Sequence, residues 1–339
     1  MKRFIVKVFF FACFCFIVAA LPAYVIDPYN VFHWDNIRNN GVEPNKNYIK
    51  TEYILNNPNK YDGFVFGSSR VGSIHVENIK NMKIYNMTYS AGTPYEHYNT
   101  LKTFIDNGVN IDIIFMGIDS ASYTENPEEH NLQGLRSPYQ YLQNKINFIS
   151  LYCDPSMVIQ SLSTILRGKS IDGYDSFYTY GWWADYDLDV NFDVENAGPS
   201  LPGGFRLEET ISEILEIKTL CEENDIKLVV FTNPMYDITY KKSVEDAYYL
   251  SFLEKMSVIT DFYNFSSLND ITRNPDNYID SSHYNAYVGD MILDVIINGE
   301  VDEDLYNQGF GWYVTNDNLI NLIELLKTQE EFSTKTYSE

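Results

Sequence analysis

Five short apolar runs, Gly63 to Phe66, Lys83 to Met87, Ile111 to Met116, Ile226 to Phe231 and Val258 to Phe265, set the strongest limit on the fold. The Ile111 and Ile226 runs lack clean apolar-polar alternation, the pattern of strands covered on both faces. Between the runs lie stretches with helical character: Tyr95 to Asn107 after Pro94, Leu207 to Glu223 with apolar residues at 211, 214, 215 and 217, Val244 to Met256, and Ala286 to Ile297. Strands alternating with helices predict an α/β domain on a parallel sheet wrapped on both faces, with ligands held at the carboxyl ends of the strands.

This domain occupies residues 61–298, and its flanks read differently. Lys2, Arg3 and Lys7 in residues 1–7 precede an uncharged, mostly apolar run over 8–26, about long enough to cross a hydrocarbon core as a helix. Basic residues on its amino side predict a cytoplasmic N-terminus, with everything after Asp27 exported. A cleaved signal peptide is the competing reading. Leu21 and Pro22 make Ala19-Ala20-Leu21-Pro22-Ala23 a poor small-x-small cleavage site, which favours a retained anchor. Residues 27–60 are polar, rich in Asn, Pro and Tyr and without sustained periodicity, so they read as a juxtamembrane connector. Residues 299–339 form an acidic extension with a helix predicted from Asn316 to Lys327.

The alternation fails over 120–204, a stretch dense in Tyr, Trp, Asp and Gly that includes Tyr178-Thr179-Tyr180-Gly181-Trp182-Trp183. It reads as an insertion after the third strand, hung over the ligand edge. Aromatics beside carboxylates suit sugar rings, and a small packed subdomain without a ligand fits the same composition. The formal charge of −23 repels nucleic acid phosphates and excludes that class of partner. Cys13 and Cys15 lie inside the apolar run. Cys153 and Cys221 are too few for a disulfide scaffold and wrongly spaced for zinc, leaving one bridge between them open. His33, His75, His97 and His130 show no metal-ligand spacing, so neither metal nor cofactor is expected.

Two distant segments carry the chemistry. Gly67-Ser68-Ser69-Arg70 sits where the first apolar run stops at a glycine, which is how a buried strand delivers a serine to the open end of a sheet. Asp280-Ser281-Ser282-His283 places a carboxylate three residues before an imidazole, close enough to hold one ring nitrogen while the other faces a hydroxyl. Ser69, His283 and Asp280 are therefore the candidate nucleophile, base and orienter. Asp280 as a cap for the helix near Ala286 is the plainer reading, and Ser281 and Ser282 read as turn-formers. Arg70 reads as an anchor for a substrate carboxylate or phosphate, as a partner of Asp119, or as a surface ion pair. Asn233-Pro234 reads as a turn.

Together these residues resemble the SGNH hydrolase superfamily, also called GDSL-like, over residues 61–298 with 120–204 left over. The resemblance implies a three-layer α/β/α domain with a parallel, flavodoxin-like sheet. Its first block ends in the nucleophile, matched by Ser69, with Ser68 in place of the usual aspartate, and its last block is matched by Asp280 and His283. Its second block is matched by Asn86-Met87-Thr88-Tyr89-Ser90-Ala91-Gly92, with Ala91 standing where a glycine N–H usually helps bind the oxyanion. Ser69, Ala91 and Gly92 are thus implied oxyanion donors, and Arg70, Asn86 and Asp119 candidate substrate contacts. The third block usually reads Gly-x-Asn-Asp, and here Gly117-Ile118-Asp119-Ser120 puts a carboxylate where an amide would donate. An ionised Asp119 aimed at a developing oxyanion would oppose it. The resemblance then requires that Asp119 be protonated, turned toward Arg70 or used for substrate hydroxyls, or that the protein bind without catalysing.

The anchored form with Gly-Ser-Ser and an Asp-x-x-His-Tyr ending is similar to proteins that esterify bacterial envelope polymers, namely D-alanyl transfer proteins of teichoic acid and O-acetylation proteins of exported polysaccharides. Such proteins work beside a multispanning membrane acyltransferase. The implied function is O-acylation of an envelope polysaccharide or teichoic-acid-like polymer through an acyl-serine. Deacylation of a polysaccharide or small ester stands second, and a non-catalytic glycan-binding scaffold third. An α/β-hydrolase is disfavoured, because Gly67-x-Ser69-x-Val71 lacks the second elbow glycine.

Overall fold

The structure, a computed structural model, describes residues 1–167, 176–181, 206–246 and 248–336. The aromatic stretch is thus seen only in part, and Trp182 and Trp183 lie outside the described residues. Six strands form one sheet in the order β2-β1-β3-β4-β5-β6. These are β1 Gly63–Phe66, β2 Ile84–Asn86, β3 Ile113–Ile118, β4 Lys227–Thr232, β5 Phe262–Asn264 and β6 Trp312–Val314. The first five in chain order pair in parallel, and β6 runs antiparallel to β5.

β1 and β3 are apolar on every residue because both their faces are covered. Phe64, Phe66, Ile114, Met116 and Ile118 point into one core, where helices Lys46–Leu55, Pro94–Asp106, Leu207–Glu223, Tyr249–Ile259 and Leu319–Thr336 place their apolar residues. Val65, Ile113, Phe115 and Phe231 point to the other, against Val71, Ile74 and the Ala286–Leu293 helix. Gly63 lets β1 and β3 close up, since a Cβ there would lie 2.3 Å from the Ile113 carbonyl oxygen.

Several expected boundaries move. The fifth apolar run is split: its first two residues, Val258 and Ile259, end the helix Tyr249–Ile259, with Val258 exposed, and only Phe262–Asn264 is strand. The Val244 to Met256 stretch is two helices, Asp237–Asp246 and Tyr249–Ile259, with Tyr248 in the left-handed region at φ 51° before the second. Ala286–Leu293 passes into a π-helical turn, Asp294–Asn298, that ends at Gly299 with φ 70°. The acidic extension belongs to the domain. It supplies β6, and its helix, Leu319–Thr336, buries Leu322, Ile323 and Leu326.

Residues 27–60 are not a loose connector. Lys46–Leu55 is a helix that buries Ile49, Tyr53 and Ile54 in the core, each contributing about 1.5–3 kcal/mol. Its buried face also carries Asn47, Lys50 and Thr51, which hides the apolar period from a sequence reading. The Lys50 ammonium donates to the carbonyls of Asn86 (2.9 Å), Thr88 (2.7 Å) and Gly181 (2.5 Å), tying this helix to the end of β2 and to the described part of the aromatic stretch. The N-terminal helix Lys2–Ile26 is long and apolar enough to cross a membrane or to be a signal sequence.

Candidate active site

The segments leaving β1, β2, β3 and β4 at their carboxyl ends meet at one edge of the sheet. At the end of β1, Gly67 gives room: a Cβ there would lie 2.6 Å from Val71 Cγ1 and 3.1 Å from the Gly117 oxygen. Ser68 then caps a 3-10 turn over Ser69–Ser73, accepting the Arg70 N–H at 3.4 Å. Ser69 opens this turn and is partly exposed, while Ser68 and Arg70 beside it are buried.

The Asp280 to His283 loop is held against Ser69 from several directions. A bridge pairs Tyr278 with Tyr284 across its base, and the Ile279 N–H donates to the His283 carbonyl at 2.7 Å. Ser73 Oγ donates to the Tyr284 carbonyl (2.6 Å) and Thr239 Oγ1 to the Ser281 carbonyl (2.6 Å). So fixed, His283 Nε2 lies 2.7 Å from Ser69 Oγ, and His283 Nδ1 lies 2.9 Å from both Asp280 carboxylate oxygens. Asp280 Oδ1 also accepts the Ser282 N–H (2.7 Å) and His283 N–H (2.9 Å). Burial raises the Asp280 carboxyl, but the His283 hydrogen bond and charge, with these two N–H donors, outweigh it and hold the group at about 2. It is therefore ionised wherever an imidazole can act as a base. The helix cap that Asp280 could have supplied comes instead from Asn285, whose side chain accepts the Val288 N–H.

The segment after β2 closes the site from the far side. Thr88 Oγ1 donates to the Ser68 carbonyl at 3.0 Å, and Gly92 packs so closely that a Cβ would lie 2.8 Å from the Gly67 oxygen. Ala91 takes a left-handed conformation at φ 58°. The N–H of Gly92, another expected oxyanion donor, faces the Tyr89 carbonyl at a long 3.4 Å. Ser69 N–H and Ala91 N–H have no protein acceptor among the described residues.

Three expected substrate contacts are internal braces. Asn86 is buried and spends its amide on the carbonyls of Val71 (2.7 Å) and Ile74 (3.3 Å), with its oxygen on the Thr88 N–H (2.9 Å). Arg70 is buried, with Nη1 2.5 Å from Asp119 Oδ1 and Nε donating to the Ser282 carbonyl at 2.9 Å. Asp119 has no exposed surface and also accepts from Asn233 Nδ2 (2.9 Å), the Ala121 N–H (2.8 Å) and Ser68 Oγ (3.3 Å). Of the arrangements open to Asp119, the turn toward Arg70 is the one found. The pair forms a strut from the ends of β1 and β3 to the histidine loop.

Asn233 and a buried cluster behind the Tyr89 to Gly92 segment were not read as site residues. Asn233 Oδ1 accepts from Tyr284 OH at 3.1 Å, so this amide links Asp119 to the residue after His283. Glu96 caps its own helix through the Thr93 N–H (3.2 Å) and hydroxyl (3.0 Å), and lies 3.0 Å from His130 Nδ1. Tyr89 OH lies 3.1 Å from Nδ1 of His97, whose imidazole burial pushes down to about 3. The available signal was Thr93-Pro94-x-Glu96, a helix-start pattern that points Glu96 back at this segment. Cys153 and Cys221 are free thiols. Among the described residues, no group of three or more His, Cys, Asp and Glu is placed to hold a metal ion.

No protein-family model and no curated protein matches the chain.

Proposed function

We propose that the chain is an exported, membrane-anchored serine acyl-transfer enzyme of the SGNH type that O-acylates a cell-envelope polysaccharide through an acyl-serine intermediate. The observation that carries this reading is the contact of Ser69 Oγ with His283 Nε2 at 2.7 Å, with Asp280 on the opposite ring nitrogen. The strand order 2-1-3-4-5, followed by one antiparallel strand, fits a flavodoxin-like α/β/α layering with the site at the carboxyl edge. The anchor reading places the N-terminus in the cytoplasm and the domain outside, beside a multispanning acyltransferase that presents the acyl group.

In this mechanism His283 takes the Ser69 proton as the oxygen attacks an ester or thioester carbonyl, and Asp280 stabilises the imidazolium. The tetrahedral oxyanion sits between the Ser69 and Ala91 N–H groups. Collapse expels the donor's leaving group, protonated by His283, and leaves acyl-Ser69. A sugar hydroxyl, deprotonated by His283, then attacks the ester and regenerates the serine. Asp119 does not oppose the oxyanion, because Arg70 neutralises it.

Hydrolysis is the second reading, favoured by the partial exposure of Ser69 and His283, which admits water to the acyl-serine. Ester analysis of surface polymers from cells carrying Ser69→Ala separates the two. Transfer predicts lost ester groups and deacylation predicts gained ones. An unchanged acyl content contradicts both.

A further inference from the structure

The helices Lys145–Tyr152 and Pro155–Arg167 carry an apolar surface that the acyl-transfer site does not use. Pro155–Arg167 packs along the N-terminal helix. Among its described side chains, large apolar residues face outward. Met157, Ser161 and Thr164 are turned inward, whereas Ile159 is 68% and Leu162 51% exposed. The hydroxyls of Ser161 and Thr164 are satisfied by carbonyls of their own helix, those of Met157 and Gln160 at 2.8 Å. Small hydroxyl residues between helices with large apolar ones outside is the arrangement of helices packed in lipid. The neighbouring helix adds Ile146 at 74% and Ile149 at 49% exposure.

The chain's charge and the join to the N-terminal helix agree. From Ile146 to Leu166 the only charged residue is Asp154, in a chain that is 21% charged. The join is hydrogen-bonded: Asp27 is buried and accepts the N–H groups of Val31 (2.9 Å) and Phe32 (2.8 Å), with His33 Nδ1 at 2.7 Å. Phe32 packs edge-on to Tyr24, Phe148 and Tyr152 at 5.0 to 5.4 Å. Thus the two helices stand beside the point where the N-terminal helix leaves the domain. At 13 residues Pro155–Arg167 is roughly 20 Å long, too short to cross a core of about 30 Å.

We infer that these two helices form a second membrane contact, seated in the outer leaflet beside the anchor with Ile146, Ile149, Ile159 and Leu162 against lipid. The inference rests on the anchor reading of Lys2–Ile26. It fixes the orientation of the domain, so that the acyl acceptor is met at the membrane surface and not at the end of a tether.

The test is nitroxide accessibility in the full-length chain, with Cys13, Cys15, Cys153 and Cys221 changed to Ala, in phosphatidylcholine–phosphatidylglycerol vesicles. Labels are placed singly through Ile159→Cys, Leu162→Cys, Val18→Cys in the anchor and Lys80→Cys on the exposed domain. Access to dissolved oxygen relative to a water-soluble nickel chelate should be several-fold higher at 159 and 162 than at 80, and comparable to that at 18. Nickel access dominating at 159 and 162, with 18 still oxygen-accessible, overturns the contact and leaves the anchor standing. Low access to both reagents at 159 and 162 means protein covers them and also overturns it. Nickel access at 18 removes the anchor and the inference together.

Discussion

Ala91, whose N–H the proposed mechanism uses as an oxyanion donor, takes a left-handed conformation that its side chain resists. At φ 58° its Cβ crowds the backbone, at a cost of about 1–2 kcal/mol, which glycine avoids while gaining some unfolded-state freedom. Ala91→Gly should therefore raise stability by about 0.5–1 kcal/mol in denaturant unfolding and leave the reactivity of Ser69 unchanged. A loss of stability would mean that the Ala91 methyl packs more favourably than its backbone is strained. The position was legible from its spacing after Asn86, but its handedness was not, because alanine carries no sequence mark of a left-handed residue. Asp119 was legible as an anomaly beside Gly117. Its resolution depends on Arg70, 49 residues earlier, and on Asn233, 114 residues later, and no local pattern signals either pairing.

Among the elements, the strut from β1 and β3 to the histidine loop depends on one buried ion pair. Arg70→Met would leave the Asp119 carboxylate buried without its cation, and removing one partner of a buried pair costs about 3–5 kcal/mol. Arg70→Met combined with Asp119→Asn should recover a large part of that loss, since both charges are then gone. Urea unfolding of the single and double variants measures this. Equal destabilisation in both would show that Arg70 acts through its Ser282 contact and not through Asp119. Sequence reading found β1 and Leu207–Glu223 with their boundaries intact, because apolar runs and helical spacing mark them. It missed Lys46–Leu55, where Lys50 and two other polar residues face inward. It also missed β6, which has only three residues at the sheet edge, one of them an exposed tyrosine.

Over the whole molecule, residues far apart in the chain are brought to one edge by the parallel strand order. Ser69 and His283 are separated by 214 positions, yet each lies close to an element whose apolar content was readable. That is why the pair could be named from sequence while its bracing could not: strands announce themselves locally, and struts form only once the sheet is assembled. The hydrogen-bonded turn at Asp27 joins the N-terminal helix to this architecture, and the acidic extension adds the edge strand β6.

The central claim is that Ser69 is a nucleophile activated by His283. A fluorophosphonate that reacts only with activated serines, followed by mass mapping of the full-length protein, tests it directly. The account predicts one adduct, on Ser69, that is absent from folded Ser69→Ala and His283→Ala variants. An unlabelled wild-type protein, or an adduct that persists in Ser69→Ala, would contradict it.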